Sequence, residues 1–249
     1  MRLKDKVAIV TGAGGGFGEG IARLFAEEGA KVCVADIRAE EAKRVAGDIG
    51  AAAIAAVGDV STAAGIDAIV SATRAAFGEA DIVVNNAGIT HRNQSMLEVD
   101  EETFDKVYAV NVKAIYLMAK ATVPAMRAKG GGSVINVGST AGIRPRPGLV
   151  WYNGSKGAAN VISKSMAVEL APDNIRVNAI CPVIGETGLL EHFMGVPDTP
   201  ENRARFVATI PLGRMSKPLD IARAALWLAS EEAEFITGIE LPVDGGRCV

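Results

Sequence analysis

Cysteine is scarce and badly placed for bridging: Cys33, Cys181 and Cys248 are odd in number and far apart. That argues against a disulfide framework and for a reducing compartment. Histidine is scarcer still. His91 and His192 are the only two, neither has a second ligand at metal spacing, and no metal site is expected. Basic runs are missing and the net charge is −3, so the electrostatic footprint of a nucleic-acid binder is absent. No apolar run reaches the length that spans a bilayer. The N-terminal "MRLKDKVAIVTG" enters a strand-like run directly, without the apolar segment or cleavage site of a signal peptide. These absences predict a soluble, cytoplasmic protein with neither a membrane nor a nucleic-acid partner.

What the chain has in abundance is glycine, 28 residues of it, beside a 49% hydrophobic content that suits a large core with many tight turns. Short β-branched runs at 7–12, 30–36, 51–59, 81–88, 133–139, 175–181 and 238–246 alternate with helical patterns at 17–28, 39–49, 62–77, 101–129, 151–171 and 219–230. Apolar strands separated by helices mean βαβ units and a parallel sheet covered on both faces. The spacing predicts a single α/β domain over residues 1–249, a doubly wound Rossmann-type sheet of about seven strands. The stretch 183–217 interrupts this rhythm with patchy periodicity, and long interruptions in compact folds serve as lids or binding loops.

"VAIVTGAGGGFGEGIARLF" sets a glycine-rich turn between the first strand and an amphipathic helix. Glycines there let backbone N–H groups approach a pyrophosphate, which the helix N-terminus stabilises. A plain turn would explain a lone glycine cluster. Here a strand precedes it, a helix follows, and a second strand ends in Asp36, the context that a dinucleotide site requires. A carboxylate at Asp36, followed by Ile37, can accept hydrogen bonds from both adenosine ribose hydroxyls and repels a 2′-phosphate. NAD is therefore favoured over NADP. Arg38 complicates this, because an arginine nearby can receive that phosphate. Asp36 as a helix N-cap is the structural alternative.

"WYNGSKGAAN" holds Tyr152 and Lys156 one helical turn apart, aiming a phenol and an ammonium from one face. With these residues in view, nearly the whole chain resembles the short-chain dehydrogenase/reductase family. Thr11, Gly12, Gly16 and Gly18 are similar to its T-G-x3-G-x-G turn, within which Gly15 and Phe17 also lie. "NNAG", with Asn86, Ala87 and Gly88, resembles the motif that supports the sheet and borders the cofactor. "GDV" resembles the segment that puts Asp59 and Val60 beside adenine. The resemblance implies an active site of Asn111, Ser139, Tyr152 and Lys156. Tyr152 would be the general base, Ser139 would hold the substrate oxygen, and Lys156 would hold the nicotinamide ribose and, with the positive nicotinamide ring, lower the phenol's pKa. Asn111 would fix a water relaying protons to solvent. It also implies cofactor contacts from Pro182, Gly185 and Thr187, and a homotetramer. In "CPVIGET" Val183 stands where the family usually has glycine, and Gly185 where a β-branched residue is common. Phe17, where isoleucine or leucine is commoner, reads as packing.

Residues after strand ends on the reactive side are candidates for the substrate wall. They are His91 and Arg92, then Ser139, Thr140, Arg144 and Arg146, then Trp151, with Val183, His192, Phe193 and Met194 from the lid. Arginine forks suit a carboxylate or phosphate, whereas "GLLEHFM" reads as an apolar cover. The first function expected is an NAD-dependent dehydrogenase interconverting a small-molecule secondary alcohol and its ketone. The second is a 3-oxoacyl thioester reductase using NADPH. The third, of another class, is a nucleotide-binding scaffold or regulator without catalysis.

Overall fold

The computed structural model describes residues 1–185 and 190–249. One sheet of seven strands runs through it: β1 (Val7–Thr11), β2 (Lys31–Asp36), β3 (Ala53–Val57), β4 (Ile82–Asn85), β5 (Gly132–Val137), β6 (Ile175–Pro182) and β7 (Glu240–Val243). Their spatial order is β3-β2-β1-β4-β5-β6-β7 and every pairing is parallel. Helices α1 (Gly16–Glu27), α2 (Ala39–Ile49), α3 (Ala63–Phe77), α4 (Glu101–Tyr108), α5 (Ala114–Lys129) and α6 (Val150–Leu170) connect them. Then α7 (Leu190–Met194) and α8 (Pro200–Val207) precede α9 (Pro218–Ala229).

Each central strand is covered on both faces, so its residues are apolar throughout rather than alternating. Side chains still alternate between two cores, as a pleat requires. Ala8, Val10, Val32, Val34, Ile82 and Val84 join the core beneath α1, α2 and α9. Ile9, Cys33, Val83, Val134 and Val177 join the one beneath α3 and α5. Cys33 and Cys181 are buried free thiols, and burial pushes them up to about 11 and about 12, leaving them inert. Among the described residues no helix is long and apolar enough to cross a membrane, and no acidic, His or Cys cluster could hold a metal.

The predicted strands and helices all form, with two differences. The 101–129 pattern is not one helix. It breaks at Ala109–Lys113 into a π-helical turn, which has no evident sequence signal because its residues are ordinary helix occupants. The 183–217 lid contains α7 and α8 around a small core of its own, Leu190, Met194 and Met215. It docks through Asn93, whose backbone N–H donates to His192 O (3.2 Å) and whose amide donates to Phe193 O (3.4 Å). The chain order reverses between β1 and β4, the switch point at which ligands bind in open α/β sheets.

Candidate active site

A cleft of about 670 Å³ opens at the carboxyl ends of the strands around that switch point. Its floor is the β1–α1 turn. Gly12 has φ +63°, and a Cβ there would sit 2.9 Å from Ala87 Cα. A Cβ on Gly18 would lie 2.3 Å from Gly12 O, so α1 can approach β1 this closely only with glycine. Asn86 fastens the turn by donating to Thr11 O (2.8 Å) and Gly12 O (3.2 Å). Thr11 Oγ1 in turn accepts from Asn86 N and Ala87 N, both at 3.1 Å. Thr11 and Gly18 shape the turn from behind, while Gly12, Gly15, Gly16 and Phe17 face the cleft. This turn, whose close approach to the chain behind it a methyl on Gly12 or Gly18 would block, fits the pyrophosphate of a dinucleotide.

Asp36 ends β2 at the cleft and is 6% exposed. Its Oδ2 accepts from Gly14 N (2.9 Å), and its Oδ1 accepts from Arg38 N (2.9 Å) and Arg38 Nε (3.2 Å). Helix α2 starts later, with Arg38 as its cap residue, so Asp36 is not an N-cap. Ile37 lies beside it in the wall, 63% exposed despite being apolar. On the far rim the Asp59 carboxylate is turned onto Ser61, accepting from its N (2.9 Å) and Oγ (2.7 Å), with Val60 buried next to it.

Ser139, Tyr152 and Lys156 meet on the opposite wall. Ser139 follows β5, and its Oγ accepts from Ala141 N (3.0 Å), starting a short 3-10 turn over Thr140–Gly142. Tyr152 and Lys156 share one face of α6, and both are buried. Lys156 Nζ donates to Val137 O (2.7 Å). Burial lowers the Lys156 ammonium to about 8 and raises the Tyr152 phenol to about 12, with the Ser139 hydroxyl opposing the latter. The lowering of the phenol was expected from Lys156 together with the positive nicotinamide ring; in the protein alone burial dominates both groups. Removing two polar groups from water outweighs their proximity.

Asn111 sits in the π-helical turn, behind the cleft wall rather than on it. Its Oδ1 accepts from Ile89 N (2.9 Å), and its Nδ2 donates to Ile89 O (2.9 Å) and Ser155 Oγ (2.9 Å). The extra residue of the π turn carries this amide in to the loop after β4. Gly88 packs between Asn111 and Lys156, where a Cβ would lie 3.2 Å from Lys156 Nζ and 3.3 Å from Asn111 Oδ1. Asn111 thus clamps the loop after β4 to α6, with one lone pair of its Oδ1 left over.

The substrate wall is partly as expected. Thr140, Arg144, Arg146, Val183 and Phe193 line the cleft. Met194 does not: it turns into the lid's own core with Leu190, one helical turn away. Phe193 takes the cleft position, its ring edge-on to Tyr152 at 5.1 Å between centroids. His91 is buried away from the cleft, its Nδ1 bonded to Arg92 O (2.8 Å). Trp151 donates to Met96 O and packs on Phe104, and His192 is exposed. Phe206 and Asn153 were not anticipated. Phe206 gave no periodic signal, but Asn153 directly follows Tyr152. Its Nδ2 donates to Arg146 O (2.8 Å) and its Oδ1 is buried without a partner. Pro182 and Gly185 line the cleft. A Cβ on Gly185 would lie 2.4 Å from the tip of the Phe17 ring, so the two departures from the family pattern are one packing solution. Thr187 lies outside the described residues.

Residues 12–247 match the family model described as enoyl-(acyl carrier protein) reductase. The chain is 50% identical over 250 residues to a 4-formylbenzenesulfonate dehydrogenase of Comamonas testosteroni, with 99% of each chain covered. It is 40% identical over 251 residues to a 2,5-dichloro-2,5-cyclohexadiene-1,4-diol dehydrogenase of Sphingobium indicum, covering 100% of this chain and 98% of that one. Among solved structures, a 3-ketoacyl-(acyl-carrier-protein) reductase from Brucella melitensis complexed with NADH superposes with a TM-score of 0.94 at 47% identity. That match covers 99% of this chain and all of the other.

Proposed function

This chain belongs to the short-chain dehydrogenase/reductase family, and we propose that it is an NAD-linked dehydrogenase of alcohols, interconverting CH–OH and C=O. The observation that carries this is the meeting of Ser139, Tyr152 and Lys156 on one wall of a cleft whose floor is a glycine cradle. Asp36 at the end of β2 supports NAD, because a buried carboxylate there repels a 2′-phosphate. The solved relative's complex with NADH points the same way. When bound, NAD supplies the hydride acceptor and, oxidised, a positive charge.

The chain's own residues do the rest. The Tyr152 oxygen takes the alcohol proton, and the Ser139 hydroxyl holds the substrate oxygen within its reach. A phenol that burial holds near 12 is a weak base at neutral pH, so positive charge beside it must favour the phenolate. Lys156, one turn along α6, is the protein's source of that charge. Asn111 positions the 86–89 segment, and Phe193 covers the phenol from the lid.

A second reading, reduction of 3-oxoacyl thioesters, is favoured by the name of the solved relative. NADPH preference no longer separates the two, since that reductase is itself complexed with NADH. Neither substrate named for the two dehydrogenases is a thioester, and the cyclic diol of the second is an alcohol, which favours the first reading. Exposed Tyr116 on α5 and Val161 and Val168 on α6 support the homotetramer, since a subunit contact would cover them. The deciding experiment measures turnover with NAD and with NADP across aryl and cyclic alcohols, their carbonyl products, and acetoacetyl-coenzyme A. Alcohol oxidation with NAD is expected, and Tyr152→Phe lowers kcat by about 10²- to 10⁴-fold while NADH still binds. Preference for the thioester transfers the assignment to the second reading. Activity unchanged in Tyr152→Phe refutes both.

A further inference from the structure

Arg146 is half-buried in the cleft wall and has no carboxylate partner among the described residues. Its guanidinium lies over the Phe206 ring at 5.1 Å, and one nitrogen donates to Thr209 Oγ1 (3.1 Å). Those contacts use one of five N–H donors. Its backbone is pinned from α6 by Asn153, next to the reacting phenol. Burial lowers the Arg146 guanidinium, the Arg247 charge adding to this, and among the described residues Arg247 Nε is buried without a partner. The carboxylate nearest to Arg247 in the chain, Asp244, accepts from Gly246 N (2.9 Å) and Cys248 N (2.8 Å). Arg144 also lines the cleft but donates to Arg247 O (2.8 Å) and Val249 O (3.4 Å), tying down the C-terminal segment. Among the described residues, then, the half-buried Arg146 guanidinium has no carboxylate bonded to it. Such an arrangement is costly unless a ligand supplies the charge.

We propose that Arg146 binds an anionic group of carboxylate or sulfonate class on the substrate, at the end away from the oxidised carbon. The proposal rests on the dehydrogenase reading and adds the substrate's chemistry to it. Phe193 beside Tyr152 and Phe206 beneath Arg146 mark the two ends of the path, with Leu149 and Ile184 also in the wall. An aromatic or short apolar body suits that lining. The guanidinium fork suits two oxygens of one group.

The test is calorimetric titration of the NADH-saturated protein with benzenesulfonate, and with benzyl alcohol as the uncharged comparator. Benzenesulfonate is expected to bind more tightly than benzyl alcohol, and less tightly as salt is raised. Arg146→Met is expected to weaken benzenesulfonate about 10- to 100-fold, the range for losing a charge-assisted bond. Arg146→Lys should fall between, keeping the charge without the fork. NADH titration of each variant reports whether it is folded. The proposal is overturned by wild-type protein that does not prefer the anion, an outcome that requires no variant. It is equally overturned by folded variants that bind benzenesulfonate as the wild type does. Alcohol turnover lost in Tyr152→Phe, without any anion preference, removes this subsite and leaves the dehydrogenase reading standing. Arg146-dependent anion binding by a protein that oxidises no alcohol does the reverse.

Discussion

The two ends of the cleft are built by different means. At the cofactor end the surface is mostly backbone, brought close by glycines at 12 and 18 and locked by Asn86. At the substrate end it is mostly side chain, contributed by the loop after β5, by α6 and by a lid with its own small core. A backbone surface recognises what every dinucleotide shares, and it tolerates no added atom. A side-chain surface can be rewritten one residue at a time, which is how one fold comes to serve many substrates. The difference teaches where substitution is fatal and where it merely retunes.

The sharpest way to break the comparison is Gly18→Ala. The new methyl would stand 2.3 Å from Gly12 O and 2.5 Å from Asn86 Nδ2, and the first of these is backbone that cannot yield cheaply. Overpacking of this kind costs about 1–3 kcal/mol or more. The cradle must open as well, so NADH affinity is expected to fall more than tenfold by fluorescence titration. Gly47→Ala is the control, because Gly47 lies within α2 away from the cleft and its Cβ would meet nothing within 4 Å. Near wild-type affinity is expected for it. If both variants bind NADH normally, the close approach does not define the site.

Where the two ends meet, Lys156 predicts a smaller effect of opposite sign. Burial lowers its ammonium from an ordinary 10.5 to about 8. Below pH 8 the lysine is protonated in both folded and unfolded chains, and the full penalty of burying the charge applies. Between pH 8 and 10.5 the unfolded chain binds the extra proton, so stability rises with pH across that window. The displacement corresponds to roughly 3 kcal/mol. Lys156→Met removes it and also the bond to Val137 O, leaving about 1–2 kcal/mol of net stabilisation at pH 7. Melting of the cofactor-free protein is expected about 2–8 °C higher, with activity lost. The advantage should shrink from pH 8 to 10.5. In the cofactor-free protein burial holds the Tyr152 phenol up near 12, so it stays neutral across that window in both proteins. A variant that melts below the wild type at pH 7 refutes the account.

The same contrast explains what was readable beforehand. The sheet, the glycine turn and Asp36 follow from strand ends, and the shared face of Tyr152 and Lys156 from one helical turn, which sequence spacing reports directly, whereas "NNAG" and Ser139 were legible by resemblance. Side-chain direction in short irregular segments does not. Phe193 and Met194 are adjacent, and about 100° of helix separates them, so a helix of barely more than one turn decides which faces the cleft. His91 follows a strand end as required, but its ring bonds back to Arg92 O and leaves the wall. Asn111 was legible by resemblance, while the π turn that brings its amide to Ile89 has no sequence mark. Arg144 and Arg146 are two residues apart in sequence and equally attractive. Only the structure separates them, by showing the first committed to the C-terminal segment and the second held over Phe206.

The smallest predicted effect joins the two regions, and it concerns Gly185 and Phe17. Gly185 belongs to the strand end leading into the lid, and Phe17 to the glycine turn. A Cβ on Gly185 would meet the tip of the Phe17 ring at 2.4 Å and Ser216 Oγ at 2.8 Å. The ring is the free end of a side chain and can swing, so Gly185→Ala should cost only about 1 kcal/mol in denaturant unfolding. Phe17→Leu removes the obstructing ring edge and leaves a small void instead. If the two positions form one packing unit, the double variant is more stable than the sum of the singles predicts, by about 0.5–1 kcal/mol. The relief stays partial because Ser216 is held in place by bonds from its Oγ to Val183 O (3.2 Å) and Ile184 O (3.4 Å). Strict additivity would mean that the glycine is required by Ser216 alone. The lid's entry would then be set from the C-terminal side of the cleft, with no packing link between cofactor turn and substrate cover.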